Sequence, residues 1–158
     1  MSLTLSLCAL LIGVIAGLRA MTAPTAISWA ACLRWLPLEG TTLSFLGATV
    51  TPFLFTLAAI GELLTDQLPS TPSRKAPVPF GARIVSGTFS GCAIGLAGGS
   101  WLAGAAAGTI GAVIGTLGGA EVRARMAKAF GRDRPAALIE DAVAIGGALA
   151  IVVVLRSV

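Results

Sequence analysis

GELLTDQLPSTPSRKAPVPFGARIVSGTFSG, residues 61–91, is the most polar and proline-rich passage of a chain that is otherwise largely hydrocarbon. Glu62 and Asp66 stand four apart at its start and so share one helix face. Pro69, Pro72, Pro77 and Pro79 keep its middle out of regular helix. Arg83 stands at the mouth of the next apolar run. Acids at one edge and an arginine at the other predict a water-facing corner where charges from several membrane helices meet.

The rest of the chain explains why such a corner is needed. Of its 158 residues 56% are hydrophobic and 11% charged, with a mean hydropathy of +0.92. A soluble domain is about a quarter charged, so this composition is that of a chain solvated by lipid. Eleven basic and seven acidic residues leave a net charge of +4. The basic residues sit between apolar runs, which marks them as topology determinants and argues against nucleic acid as a partner. Histidine is absent, and Cys8, Cys32 and Cys92 lie far apart inside apolar runs, where they read as small buried hydrophobes. Thiolate or imidazole metal sites are therefore not expected. The first apolar run lacks a basic leader and a small-residue cleavage site, and Leu7 before Cys8 does not suit lipidation. No phosphate-cradling loop, nucleophile elbow or histidine base is present, so no enzyme, catalytic residue or cofactor is expected.

Apolar runs predict spans at about 3–18, 20–36, 42–64, 82–98, 100–118 and 136–155. The second run carries Pro24 in its first turns and Arg34 and Trp35 at its far end, where Trp35 reads as an interfacial anchor and Arg34 as a snorkelling cation. Its alternative is one long helix broken near Pro24, with one half re-entrant. Pro52 falls midway along the third run, after Thr49 and Thr51, hydroxyls able to satisfy the carbonyl it frees. From residue 82 onward glycines recur at period four: Gly87, Gly91, Gly95 and Gly99, then Gly104 and Gly108, then Gly111, Gly115 and Gly119. That spacing lays glycine along one helix face and lets another backbone approach. Gly98 to Trp101 is the turn within this tract. The basic connector AEVRARMAKAFGRDRP follows, its first part readable as a short surface helix, and Pro135 suits the first turn of the last helix.

Charge sets the topology. The loops at 65–81 and 119–135, with the flanking Arg83, hold most of the basic residues and are expected in the cytoplasm. Counting outward gives a single all-α integral membrane domain over 1–158, a bundle of about six short spans with both termini outside. Three spans on either side of the proline loop would make two inverted halves, echoed only faintly by Gly17-Leu18-Arg19 and Gly81-Ala82-Arg83.

This arrangement places Arg19, Glu62, Asp66, Arg83, Glu140 and Asp141 at or near the cytoplasmic helix ends. Charges at such depth are costly and pair with one another or face a cavity. One reading is a network that staples helix ends together. The other is a polar cavity that binds an ion, a proton or a small polar solute. Carboxylates alone suit Mg²⁺ or Ca²⁺, but the arginines compete for the same oxygens, so no metal is expected.

GLRAMTAPTAISWAA at 17–31, ELLTDQLPSTPSR at 62–74, ARIVSG at 82–87 and EDAVAIGGALAIV at 140–152 resemble the bacterial domain-of-unknown-function family 4126. The resemblance covers nearly the whole chain, with Glu62, Asp66, Leu68, Pro69, Pro72 and Arg74 as its most specific set. It implies a small multi-pass protein of the bacterial inner membrane and carries no activity. The expected function is a small transporter or channel-like protein with a polar site bounded by the six charged residues. The alternative is a non-transporting scaffold or lipid-interacting protein in which those charges are structural. Membrane lipids are the expected partners, together with further copies of the chain through the glycine faces.

Overall fold

In the computed structural model, which describes residues 1–66 and 75–157, all regular structure is helical among the described residues. The helices are α1 (Leu3–Leu18), α2 (Thr22–Cys32), α3 (Thr51–Thr65), α4 (Pro77–Ala97), α5 (Trp101–Phe130) and α6 (Asp133–Arg156), with a 3₁₀ turn over Ser44–Gly47. Leu68, Pro69, Pro72 and Arg74 lie outside the described residues.

Side chains are apportioned inside out. The interior is built from small residues such as Ala9, Ala16, Ala23, Ala93, Ala112 and Ala144, each fully buried, while Leu54, Leu57, Ile110, Ile114, Val143 and Leu149 point outward. Water would reverse this pattern. A solvent of lipid tails permits it, because burying a leucine there gains nothing and close backbone approach gains dispersion contacts. Helices α4, α5 and α6 are each long and apolar enough to cross a membrane. Together these features mark a membrane protein.

Period-four glycine explains which helices meet. A methyl placed on Gly87, Gly91 or Gly95 of α4 would overlap the backbone of Gly104 or Gly108 in α5 or, from Gly87, the side chain of Ala112. On α5, Gly111 and Gly115 sit against Leu10 and Val14 of α1 instead. Gly108 touches both neighbours, lying against Gly87 and Gly91 on one side and Gly13 on the other. The glycine faces thus close the centre of one chain.

The helices alternate in direction. Residues 10, 14 and 17 of α1 meet 111, 115 and 116 of α5 in rising order, so these two run parallel, while α4 meets both in falling order. Met1 and Leu5 flank Gly98, so α1 starts where α4 ends. Trp29 stacks edge-on against Phe53 at 5.2 Å, and Ala20 bonds to Glu62, so α2 and α3 are antiparallel. Residues 19–22, 62–66, 77–83, 123 and 133–141 consequently gather at one end of the bundle.

Several boundaries differ from the sequence expectation, for local reasons. Pro52, expected mid-span, sits in the first turn of α3, where its missing N–H costs nothing. The span expected from 42 therefore begins at Thr51, and the Thr51 hydroxyl bonds to Phe45 O at 2.7 Å. Pro77 and Pro79, expected in a loop, occupy the first turn of α4 in the same way. The connector expected over 119–135 is mostly helix: α5 runs unbroken for 30 residues, about 45 Å, and ends at Gly131, whose φ of +67° suits a residue without Cβ. Helix α2 covers 11 residues, about 16 Å, rather than 20–36.

What stops α2 is a Schellman turn. Trp35 N–H donates to Ala30 O at 2.8 Å and Arg34 N–H to Ala31 O at 3.0 Å. The residue at the left-handed position is Arg34, with φ +58°, where glycine is usual. A left-handed non-glycine costs about 1–2 kcal/mol. Arg34→Gly is therefore expected to stabilise the fold by about 1 kcal/mol, read as a raised midpoint of thermal unfolding in detergent. An unchanged or lowered midpoint would mean that the Arg34 side chain offsets its own backbone strain.

Candidate functional site

The end of the bundle where α1, α3, α4 and α6 converge is built around Arg19, the residue that caps the C-terminus of α1. It is completely buried. A guanidinium in such a place survives only with acids against it. Arg19 Nε donates to Asp141 Oδ1 at 2.6 Å, Nη2 lies 2.5 Å from the same oxygen, and Nη1 donates to Asp66 Oδ2. The planar fork thus bridges α3 and α6 from α1, which a point-charge lysine could not do with the same geometry.

Glu62, one helical turn before Asp66, plays a different part. Its two oxygens accept the backbone N–H groups of Ala20 and Met21, each at 2.7 Å. These are the amides freed where α1 ends and α2 begins. A carboxylate at that break satisfies them and complements the positive end of the α2 dipole. Arg83, on the first turns of α4 and 5% exposed, approaches Asp66 at 3.7 Å and Glu62 at 4.0 Å, and donates to Pro79 O. The Ser86 hydroxyl, one turn on, donates to Ala20 O and ties α4 to the same break.

Glu140 and Asp141 are adjacent on α6 yet take separate partners. Asp141 meets Arg19, while Glu140 meets Arg123 Nη1 at 3.4 Å. Arg123 also grips Asp133 with its fork, Nε to Oδ1 at 2.9 Å and Nη2 to Oδ2 at 2.5 Å. It joins the α5 end to the α6 start just where the apolar part of α5 gives out. All six residues expected from the sequence therefore converge. Arg123 and Asp133 enlarge the set to three arginines and five carboxylates, although in sequence Arg123 is one of several topology charges. The helix-forming run from Ala120 to Phe130, which carries no glycine or proline, is the signal for it.

Among the described residues no group of three acids or cysteines is placed to hold a metal. On α4, Ser90 lies two turns deeper than Arg83. Its hydroxyl is completely buried and has no hydrogen-bond partner among the described residues. Two further cavities flank α2. One, of about 500 Å³, is lined by apolar residues of α2, α3 and α6. The other, of about 400 Å³, is lined by Arg34, Glu39, Ser44 and Thr49 with their neighbours.

Comparison with protein-family models, with curated proteins and with solved structures finds no match to this chain. What the site does must therefore be argued from its own chemistry.

Proposed function

We propose that this chain is a non-transporting membrane scaffold whose buried charge network locks one end of a helical bundle. One observation carries the reading: Arg19 is wholly buried and its fork is engaged by Asp66 and Asp141 from two other helices. A site awaiting a solute would leave its cation or anion open. Here most of the strong donors and acceptors are spent on one another and on the α1–α2 break, Arg19 Nη2 standing against Asp141 as an ion pair without a hydrogen bond. The proposal includes six passes through a bacterial inner membrane, which the alternating helix directions support, with the charged end in the cytoplasm. It retains the resemblance to family 4126, lipid as the immediate partner, and self-association between copies, on faces other than the glycine stripes of α4 and α5 that pack within the chain.

A second reading, a small transporter or channel-like protein, is favoured by Ser90. An unpartnered hydroxyl buried about 10 Å beyond Arg83 along one face of α4 is what a polar path leading inward from the charged end would display.

Proteoliposomes containing a pH-sensitive dye separate the two. Under the scaffold reading the parent protein leaks protons and K⁺ no faster than protein-free vesicles. Glu62→Gln then only lowers stability, by about 1.5–3 kcal/mol, because the amide nitrogen cannot accept an N–H bond. Arg83→Gln lowers it as well. A parent flux that either variant abolishes without shifting its unfolding midpoint would overturn the scaffold reading in favour of transport.

A further inference from the structure

We infer that the slot between α2, α3 and α6 holds an acyl chain of an anionic phospholipid, with the phosphate at the end marked by Arg156 and Arg34. The inference deepens the scaffold reading by naming its lipid, and it rests on membrane placement rather than on the charge network.

The slot exists because α2 is short. It stops at Cys32, and the chain reaches Thr51 before α3 starts, whereas α6 continues for 24 residues beside them. The space left is about 500 Å³, within the range of about 300–1,000 Å³ that holds a small molecule. Its walls include Ala59, Leu63, Leu149 and Val152. Leu33, Ile60, Ile145 and Leu149 on its rim are exposed, so it opens sideways, toward lipid. Three of the polar groups that reach it, beside Thr22, are engaged elsewhere. Trp29 Nε1 donates to Thr56 Oγ1 at 3.0 Å, Thr56 Oγ1 donates to Pro52 O at 2.6 Å, and Thr25 Oγ1 donates to Met21 O at 2.6 Å. Walls of this kind reward hydrocarbon and give a polar solute little in return.

Charge at the slot's end selects the headgroup. Trp35 lines the slot, and the Arg156 guanidinium lies over its ring, 5.2 Å from the centroid. Arg34, the residue before Trp35, lines the neighbouring polar cavity with Glu39. Among the described residues this end of the bundle carries the side-chain charges Arg34, Arg156 and Glu39. Glu39 pairs with Arg34 at 4.0 Å, both side chains being mostly in solvent, a screened contact that leaves net positive charge at this end to meet a phosphate. An arginine fork matches phosphate oxygens, and the excess of positive charge favours an anionic lipid over a zwitterionic one. The left-handed φ of Arg34 fits this reading: glycine would suit the turn better, and arginine brings the charge.

Tryptophan quenching by bromine-labelled acyl chains tests the site. Trp101→Phe leaves Trp29 and Trp35 as the reporters, since the chain has three tryptophans. Brominated phosphatidylglycerol should quench them at about fivefold lower mole fraction than brominated phosphatidylcholine, the size of one arginine's attraction to anionic lipid. Arg156→Gln combined with Arg34→Gly should bring the two curves together. Ala59→Phe, which fills the slot, should weaken quenching by both lipids. Identical curves for the two lipids in the parent, or undiminished quenching in Ala59→Phe, would overturn the site and leave the scaffold reading intact. Flux through the parent would remove the scaffold reading and leave the quenching result untouched.

Discussion

Arg19→Met is expected to lower the stability of the solubilised protein by about 3–5 kcal/mol, the usual cost of removing one partner from a buried ion pair. The side chain is 0% exposed, and it separates Asp66 from Asp141. Methionine fills much the same volume but leaves two carboxylates facing each other across a low-dielectric interior. Asp141 then loses its charged donor, and Asp66 keeps only the longer contact to Arg83. Arg19→Lys should fall between parent and Met, because an ammonium keeps the charge and loses the fork that reaches both acids. The informative variant is the triple one. Arg19→Met with Asp66→Asn and Asp141→Asn removes the stranded charges, and buried ionic triads replaced as a set are often neutral. It should recover at least half of the loss, measured by denaturant unfolding in one detergent. Recovery of this kind would show that the arginine is needed because the acids are there, a coupling that single changes cannot reveal. A single Arg19→Met within about 0.5 kcal/mol of the parent would mean that water reaches the network and that no cage exists.

How far this cage was visible beforehand depends on the kind of signal. Few charges in an apolar chain must find one another, because none is stable against lipid. For that reason Arg19, Glu62, Asp66, Arg83, Glu140 and Asp141 were identifiable from 122 residues of separation downward. Partner choice was not. Glu140 and Asp141 are neighbours in sequence, but the helical twist of about 100° per residue sends one to α5 and the other to α1. Proline was the most misleading residue. Pro52, Pro77 and Pro79 suggested an interrupted span and an extended loop, yet all three sit in first turns, where proline helps a helix begin. Charge counting had a similar flaw. Five basic residues made 119–135 look like a connector, although Glu121 to Lys128 are good helix formers and nothing before Gly131 ends the helix. The shortness of α2 had no readable cause, since it depends on Arg34 adopting a conformation that sequence preference assigns to glycine.

Gly108→Ala and Gly118→Ala, the same change on the same helix, are expected to act in opposite directions. Alanine favours helix over glycine by about 1 kcal/mol in both variants, so Gly108→Ala falls below the parent only because its overpacking exceeds that gain. What differs is the space. A methyl on Gly108 would run into Gly87 O and lie 3.0 Å from Gly91 Cα, both backbone atoms of α4, and Gly108 is also where Gly13 of α1 makes its closest approach. Backbone cannot turn aside as a flexible side chain can, so α5 must part from α4, and a shift of α5 disturbs its contact with α1 at the same residue. Overpacking of this kind costs about 1–3 kcal/mol. In a lipid solvent the loss is not recovered elsewhere, because the parted helices have no hydrophobic drive to re-close and their association rests on close contact. A methyl on Gly118 meets nothing within 4 Å, and the substitution should stabilise by about 0.4–1 kcal/mol through reduced freedom of the unfolded chain. The two unfolding midpoints should therefore move to opposite sides of the parent. If both rise, the α1–α4–α5 contact is looser than backbone packing requires, and the charged end would have to hold the bundle without it.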